Sequence, residues 1–305
     1  MTEAKILADS LNQWGDRLTT FKIKFPRIIE AEILRHRVFS YSAESSRAVG
    51  LEKHIQKVLA RPFIPQEFTE DCKGMSAKKS LEEDQNNKAK VLWKEALSVA
   101  ASICEDLKDI NVHKQHASRL LQPFEYQTML ITGTQWLNFF KLRCPQYSHK
   151  GQTFLSKADL LAFWPELKDT DVEELNVSQA QPEIQELAEM MWNAYNEGSP
   201  KELTEGEYHL PFGDFEEYPI ERNVARCARI SYLMDSKGVS GDVELYQKLQ
   251  LHKHGSAFEH LCRHMTELEF KILTRSFYEG EQFFSQEGWC ANIRGFISQR
   301  TILGL

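Results

Sequence analysis

At 305 residues, with 42% of them hydrophobic, the chain is long enough to bury a core as one large domain or two small ones. Its formal net charge of −7 argues against a general nucleic-acid-binding protein, because neutralising phosphates requires a basic face. The polar N-terminus and the interrupted apolar run from Met129 to Leu142 predict neither a signal peptide nor a membrane span, and they favour a cytoplasmic protein.

The first half of the chain predicts one strand followed by helices. Residues 18–24 (LTTFKIK) alternate as in a strand, and Pro26 opens a helical pattern that continues to about Phe39. Residues 70–92 are charge-dense and predict an exposed loop, which leads into a helix over 91–107. Residues 114–143 predict a mostly apolar helix that Pro123 bends or divides.

The second half predicts an insertion, a helix and a linker. Residues 145–179 mix glycine, proline and acids and predict an insertion, after which Ala180–Tyr195 has clear helical periodicity. Residues 198–218 predict a linker, and VARCARISYL from Val224 predicts a strand or a helix-to-strand junction. The six cysteines are scattered without a CxxC pair, which predicts reduced and mainly structural thiols.

A phosphate-binding turn is predicted within residues 35–47 (RHRVFSYSAESSR), where cationic groups bracket a run of hydroxyls. Arginine offers a planar and permanently charged fork to phosphate oxygens, and serine hydroxyls with backbone N–H groups add short donors. On a helical wheel, Glu32, Arg35 and His36 share one side. The alternative interpretation is a charged helix end followed by a serine-rich loop.

A second candidate segment is the run from Thr132 to Arg143 (TGTQWLNFFKLR). It is interpreted either as part of a site or as a buried helix whose last turn carries Lys141 and Arg143 against the helix dipole. Asn138 lies inside the apolar run, and an unpaired buried amide costs about 1 to 3 kcal/mol. The sequence therefore predicts a partner for that amide.

These segments resemble the motifs of the flavin-dependent thymidylate synthases. That family has Arg-His-Arg, an early serine, and a second serine two positions before a closing arginine; the matching residues are Arg35, His36, Arg37, Ser40, Ser45 and Arg47. Ser42 stands where the family usually has asparagine, Ala43 where it often has an acid, and Ala48 where it has tyrosine. The family run Asn-Phe-Phe-x-Leu-Arg is matched by residues 138–143, and residues 180–185 resemble the helix that follows it.

A third segment, residues 254–260 (HGSAFEH), resembles the family's flavin segment His-x-Thr/Ser-Pro-Phe-Glu-His, with Ala257 in place of proline. Residues 228–231 resemble the upstream strand Ala-Arg-Ile/Val-Ser. In typical members this segment precedes Arg-His-Arg, whereas here it follows. The order is similar to that of a permuted subgroup of bacteria and phages, so the resemblance covers nearly the whole chain.

The resemblance implies an α+β fold, a helix-rich body around an antiparallel sheet, as a single domain over 1–305 with the insertion at about 145–179. It implies methylation of dUMP with methylenetetrahydrofolate, hydride from reduced FAD, and NADPH to restore the flavin. It implies a homotetramer with shared active sites, in which Arg143 binds the uracil edge and favours its ionised form. Arg119, which Pro123 follows at the family's spacing, corresponds to another arginine that reaches the nucleotide.

The site residues implied by the resemblance fall into two sets. The dUMP set is Glu32, Arg35, Ser45, Ser46, Arg47, Arg119 and Arg143. The FAD set is Arg35, His36, Arg37, Asn138, Ser231, His254, Ser256 and Glu259.

Three alternatives stay open. The enzyme could act on another pyrimidine nucleotide or leave a hydroxymethyl group, since Ser42 and Ala43 depart from the family pattern. The histidines between His252 and His264 suggest a metal-dependent hydrolase, because His260 and His264 could share one helical face, although no HExxH or CxxC accompanies them and no metal is expected. The Arg-His-Arg region could also dock RNA or an acidic partner, which the acidic overall charge argues against.

Overall fold

The computed structural model describes residues 1–45, 49–73, 79–231, 238–279 and 282–305, apart from the side chains of Asp169, Ser231 and Glu279. The strands in chain order are β1 (Glu3–Leu11), β2 (Arg17–Pro26), β3 (Ser40–Ala43), β4 (Tyr126–Gly133), β5 (Tyr147–His149), β6 (Gln152–Phe154), β7 (Lys201–Glu202), β8 (Tyr208–His209), β9 (Cys262–His264), β10 (Thr274–Glu279), β11 (Gln282–Glu287), β12 (Trp289–Cys290), β13 (Ile293–Arg294) and β14 (Phe296–Ser298).

The helices in chain order are α1 (Glu30–Leu34), α2 (Leu51–Ala60), α3 (Glu83–Asp109), α4 (Lys114–Ala117), α5 (Leu137–Arg143), α6 (Lys157–Phe163), α7 (Asp169–Glu174), α8 (Pro182–Glu197), α9 (Pro219–Ala228), α10 (Gly238–Leu251), α11 (Glu267–Ile272) and α12 (Gln299–Ile302). Short 3-10 helices lie at Arg27–Ile29, Ser118–Phe124, Arg229–Ser231 and Ser256–His260. Among the described residues, no helix combines the length and apolarity that a membrane span requires.

The main sheet has the strand order β3-β4-β2-β1-β7 and is antiparallel except for the short β1–β7 pair. Successive side chains of β2 point to opposite faces of the sheet. On one face, Phe21, Ile23 and Phe25 pack with α5 and α8 in the largest apolar cluster. On the other, Leu130 packs with α9 and the 3-10 helix Ser256–His260. The expected α+β class is confirmed.

The predicted helix over 114–143 is wrong in its middle, because residues 126–133 form β4. Met129 and Ile131 face the first cluster while Leu130 faces the second, and all three are fully buried. A strand covered on both faces needs apolar residues at every position, so its run has no two-residue period. Such a run cannot be distinguished from a buried helix by periodicity.

The predicted helix from Pro26 to Phe39 is also too long, since α1 ends at Leu34. The hydroxyl of Tyr41 lies 2.8 Å from the carbonyl oxygen of Ile33 and 2.7 Å from that of His36, so it covers the exposed carbonyls at the helix end. The chain then turns back to pair β3 with β4. The turn places His36 and its neighbours outside a regular helix.

Other boundaries differ less. Helix α3 begins at Glu83, inside the predicted exposed loop, and α8 confirms the helix expected from Ala180. Of the two alternatives predicted from Val224, the strand is wrong for residues 224–231, because residues 219–228 form α9 and residues 229–231 a 3-10 helix, while the strand half of a helix-to-strand junction, at residues 232–233, lies outside the described residues. Residues 145–179 form the β5–β6 hairpin and helices α6 and α7 around a small cluster of their own that includes Leu160. Cys104, Cys144, Cys227, Cys262 and Cys290 have free thiols.

A chain of buried polar side chains crosses the sheet. Ser10 Oγ lies 2.8 Å from His209 Nδ1, and His209 Nε2 lies 2.8 Å from Thr20 Oγ1. Thr20 Oγ1 lies 2.7 Å from Thr132 Oγ1, which lies 2.8 Å from His260 Nδ1. Burial lowers the pKa of both His209 and His260 to about 3, and for His209 the neighbouring His260 adds to the effect. Both imidazoles are therefore neutral at physiological pH.

These two histidines should make the free energy of unfolding strongly pH-dependent in mild acid. Below pH 6.5, the ordinary histidine pKa, both imidazoles are protonated in the unfolded chain, whereas in the folded chain they stay neutral down to about pH 3. The free energy of unfolding therefore decreases as the pH falls. Two such groups give a slope of roughly 2 to 3 kcal/mol per pH unit below pH 6. Denaturant titrations between pH 4.5 and 7.5 measure it. The variant His252→Gln, which removes an exposed imidazole, should keep the slope; a flat profile would contradict the prediction.

Candidate active site

The end of α5 meets the end of α1 through one side-chain hydrogen bond. Arg143 Nε donates to His36 Nε2 over 3.0 Å. The imidazole packs edge-on against Phe139, one helical turn before Arg143, with ring centroids 5.0 Å apart. At the start of α5, the Trp136 indole donates to the Gly133 carbonyl oxygen at 2.8 Å. The aromatic residues of the apolar run therefore fix the direction of the Arg143 side chain.

Arg143 and the charged groups around it carry a net positive charge. Burial lowers the pKa of Arg143; the carboxylate of Glu32 raises it and the guanidinium of Arg35 lowers it further. Burial, and then the charge of Arg143, lower the pKa of His36 to about 4. His36 is therefore neutral at pH 7, with Nε2 as acceptor and the proton on Nδ1. Arginine remains cationic at this pH.

Glu32 has a buried acceptor that no described residue satisfies, since its Oε2 atom has no hydrogen-bond partner within the described chain. A buried carboxylate oxygen without a donor is costly, so it is commonly satisfied by water or a ligand. The wheel prediction that Glu32, Arg35 and His36 share a side agrees with their common position around Arg143. This group can offer both acceptors and donors to a polar ring.

The turn after α1 exposes two further guanidinium groups. Arg35 and Arg37 are exposed, and neither forms an ion pair with another described residue. Ser40 is buried and accepts from Asn292 Nδ2 at 3.2 Å, and Ser42 is buried with its hydroxyl unpaired within the described chain. Ser45 is half-buried. Ser46 and Arg47, two of the expected nucleotide-binding residues, lie outside the described residues.

Arg119 belongs to a second polar network on the 3-10 helix Ser118–Phe124. The Gln122 amide oxygen, in the orientation that satisfies its neighbours, accepts from Arg119 Nη1 at 2.7 Å and Arg27 Nη2 at 3.1 Å. Arg27 forms ion pairs with Glu125 and with Glu30, the latter over 3.4 Å. The Arg119 side chain is thereby held at one end and exposed to solvent.

Glu125 is the buried centre of this network. Burial alone would raise its pKa, but the hydrogen bonds and charges of His54 and Arg27 outweigh burial and lower it. His54 Nε2 lies 2.9 Å from its carboxylate. Gln127 Nε2 donates to Glu30 Oε1 at 3.1 Å and to the Glu44 carbonyl oxygen at 3.2 Å, immediately before Ser45. The network therefore connects Arg119 to Glu44, the first residue of the segment 44–47, which we call the serine turn.

The side chains of Glu30 and Glu32 leave α1 in different directions. Glu30 contacts the Arg119 network and Glu32 lies near Arg143. Residues two positions apart in a helix are separated by about 200° around its axis. Glu30 therefore points toward the network that holds Arg119, and Glu32 points to a different side of α1, toward Arg143.

Two segments from the end of the chain lie against β3. Both 3-10 helices, Arg229–Ser231 and Ser256–His260, contact this strand, which follows the Arg-His-Arg motif. The strand expected at residues 228–231 is wrong, and the Ser231 side chain lies outside the described part. Ser256 is half-buried and His254 is exposed. Glu259 is half-buried in an ion pair with Arg300.

The structure does not have the histidine geometry on which the alternative metal site was based. His260 lies in a 3-10 helix and His264 in β9, so they do not share a helical face. His264 Nδ1 lies 2.6 Å from the Met265 carbonyl oxygen, while His252 and His254 are exposed. No group of three or more potential metal ligands occurs among the residues that the structure describes.

Asn138 is not buried, contrary to the sequence-based prediction. It lies on the exposed face of α5, between Leu137 and the buried Phe139. Its amide therefore needs no partner inside the chain and is free to contact a molecule on that face. The sequence reasoning assumed a longer apolar helix buried on all sides.

Sequence reasoning missed most of the supporting residues. Arg27, His54, Glu125 and Gln127 were not singled out, although they position Arg119 and the serine turn. The signal that could have found them is the pair of polar residues, Glu125 and Gln127, at the start of an otherwise apolar strand. The His36–Arg143 hydrogen bond joins residues 107 positions apart and has no local signal.

Comparisons with known proteins identify a family. The family model of the thymidylate synthase complementing proteins matches residues 18–201, which include both polar networks. No curated protein sequence matches the chain significantly.

Three solved structures show limited likeness. The UMP/dUMP methylase PolB from Streptomyces cacaoi bound with 5-Br UMP is 17% identical, with a TM-score of 0.46, over 64% of this chain and 88% of that chain. The same protein with 5-Br dUMP is 15% identical, with a TM-score of 0.44, over 64% and 90%. Thymidylate Synthase X from Helicobacter pylori with FAD and dUMP is 16% identical, with a TM-score of 0.35, over 58% and 67%.

These structural scores are too low to carry an argument, so the assignment depends on the sequence match, which spans more than half of the chain. The chain belongs to the thymidylate synthase complementing protein family, the family of the flavin-dependent thymidylate synthases.

Proposed function

We propose that this methyltransferase converts dUMP to dTMP, taking the carbon from methylenetetrahydrofolate and hydride from reduced FAD that NADPH regenerates. We also propose that it works as a homotetramer with shared active sites. The observation that carries the proposal is the Arg143 guanidinium, fixed by His36 beside the unsatisfied carboxylate of Glu32. Membership of the family supports the same reaction class.

The available charges fit a nucleotide monophosphate. Arg119 is oriented by Gln122, and the serine turn starts at Glu44 in the same network. We assign the phosphate to Ser45, Ser46, Arg47 and Arg119, with Glu32 and Arg35 positioning the nucleotide. Because Glu30, in the Arg119 network, and Glu32, beside Arg143, point to different sides of α1, we propose that a second subunit supplies one of these arginines to each site. This arrangement supports the proposal of shared sites.

The residues present also fit a flavin nucleotide. Arg35 and Arg37 are exposed cations without ion-pair partners in the described chain, which suits a diphosphate. Asn138 is exposed on α5, and the 3-10 helix that contains Ser256 and Glu259 lies against β3. His254 and Ser231 complete the proposed set. His36 is buried and contributes through its contact with Arg143. When bound, reduced FAD supplies the hydride.

Arg143 activates the pyrimidine electrostatically. Carbon 5 of uracil is a poor nucleophile, and a cation beside the ring carbonyl and nitrogen stabilises the anionic form that can attack. His36 occupies Nε of the guanidinium, while both terminal nitrogens have no partner among the described residues. Those two nitrogens form a planar fork for the uracil edge. Since arginine keeps its proton, it acts as an electrostatic group and not as a base.

No enzyme thiol is needed for this chemistry. Cys144 directly follows Arg143, but it is fully buried and burial raises its pKa far above neutrality. It stays a neutral thiol, which is a weak nucleophile. The binding serines likewise have no activating base assigned to them, so they act as donors to phosphate.

A second substrate remains a candidate because the motif at residues 35–47 departs from the family pattern at Ser42 and Ala43. Ser42 has a buried hydroxyl without a partner in the described chain, where the family usually has asparagine. Product analysis with dUMP, UMP and dCMP, by mass spectrometry of the nucleotide, decides between methylation of dUMP and transfer of a methyl or hydroxymethyl group to another pyrimidine.

Replacing Arg143 should abolish turnover without releasing flavin. Losing one preorganised electrostatic donor typically lowers kcat about 10² to 10³-fold, so Arg143→Ala should fall at least that far. The test combines the flavin absorbance of the purified protein with dTMP formation from dUMP, methylenetetrahydrofolate and NADPH. Lys141→Ala, an exposed cation on the same helix, is the matched control. Full activity in Arg143→Ala would refute the assigned role.

The charge of Arg143 should be visible in the titration of His36. Burial and Arg143 together lower the pKa of this imidazole to about 4. Removing the cation in Arg143→Gln should raise the pKa, yet leave it below 6.5, because the burial remains. NMR of ¹⁵N-histidine-labelled protein measures the shift. Lys141→Gln should leave the titration unchanged, and an equal effect in both variants would show that the contact is absent in solution.

A further inference from the structure

Helix α3 has two apolar faces, and only one is covered. Leu97, Ala101 and Cys104 are buried against α2 and the 3-10 helix Ser118–Phe124. A second set, at about 140° from the first around the helix axis, is exposed: Leu92, Ala96, Val99 and Ile103. Leu92 is 55% exposed, Val99 59% and Ile103 43%. We call this second set the outer stripe.

The outer stripe has the spacing of a helix–helix seam. Its positions are separated by four, three and four residues, the alternation that places apolar residues on one side of a paired helix. The stripe is about 16 Å long at 1.5 Å per residue. Single exposed apolar residues need no explanation, but four in a continuous row on a helix already anchored on another face mark an interaction surface.

The charges beside the outer stripe select the partner and its direction. Lys88 lies beside the stripe at its beginning, and Asp106 lies beside it, on the same side, at its end. Consider two copies of α3 packed antiparallel, with Leu92 against Ile103 and Ala96 against Val99. Each Lys88 then faces Asp106 of the other copy, and the two-fold symmetry repeats this pair at both ends of the stripe. Parallel packing would place like charges at the same level.

We propose that the outer stripe is an isologous interface, in which α3 packs antiparallel against α3 of a second copy of this chain. The small Ala96 lies beside Val99 at the centre and lets the helices approach closely there. The stripe is self-complementary in shape and charge, as a two-fold interface requires. The inference depends only on α3 and stands whether or not the proposed reaction is correct.

A charge in the outer stripe should reduce the oligomer. Val99→Glu places a carboxylate in the apolar seam, where pairing would bury it next to its symmetry mate, so the subunit number should fall by half. Sedimentation velocity and equilibrium measure the mass, and circular dichroism checks that the exposed position leaves the fold intact. Lys94→Glu, on the exposed polar side of α3, is the control and should keep the wild-type mass. Equal masses for the two variants and the wild type would overturn the proposal.

The register can be tested by cross-linking. In the double variant Leu92→Cys/Ile103→Cys, oxidation should join position 92 of one copy to position 103 of the other, because antiparallel packing places them face to face. The two positions are about 16 Å apart on one helix, so no intramolecular bond can form. Peptide mapping by mass spectrometry identifies the bridge. Bridges that join 92 to 92 and 103 to 103 would refute the antiparallel register, and no bridge at either position would refute the interface.

Discussion

The pairing of β2 with β4 is the constraint on which both the core and the candidate site depend. It joins residues at least 100 positions apart, and its register runs from Thr19 opposite Gly133 to Pro26 opposite Tyr126. At the latter end it places Arg27 beside Glu125, so the buried ion pair is a direct consequence of strand register. At the other end it leads β4 into α5 and Arg143. A shift by one residue would turn the apolar side chains to the wrong face and separate the charges.

The sequence predicted those elements whose environment has a clear period. Strand β2 and helix α8 each have one apolar face, so alternation and helical periodicity indicated them correctly. Strand β4 lies between two apolar clusters and has no period, which is why it was mistaken for a helix. The end of α1 could not be predicted either, because the hydroxyl of Tyr41 covers it from seven residues beyond the helix.

For the site, the sequence indicated the charged residues but not what holds them. The cations and serines stand in motifs, so their presence was apparent from spacing. Their support comes from long-range contacts: His36 orients Arg143, and Gln122 and Arg27 orient Arg119. Such contacts are set by the tertiary fold and have no local pattern. The prediction of a buried Asn138 was wrong for the same reason: only one face of α5 packs against the core, and Asn138 lies on the other face.

The position of the 3-10 helix Ser256–His260 against β3 has a consequence for synthesis on the ribosome. This helix reaches the sheet only after about two hundred further residues have been made. Until then, the side of the sheet that contains Leu130 and Thr132 is covered only in part, by α9, and Thr132 lacks its imidazole partner His260. The nascent chain therefore exposes part of the apolar face of the sheet, which can aggregate or bind chaperones. The 3-10 helix packs on this face only near the end of translation.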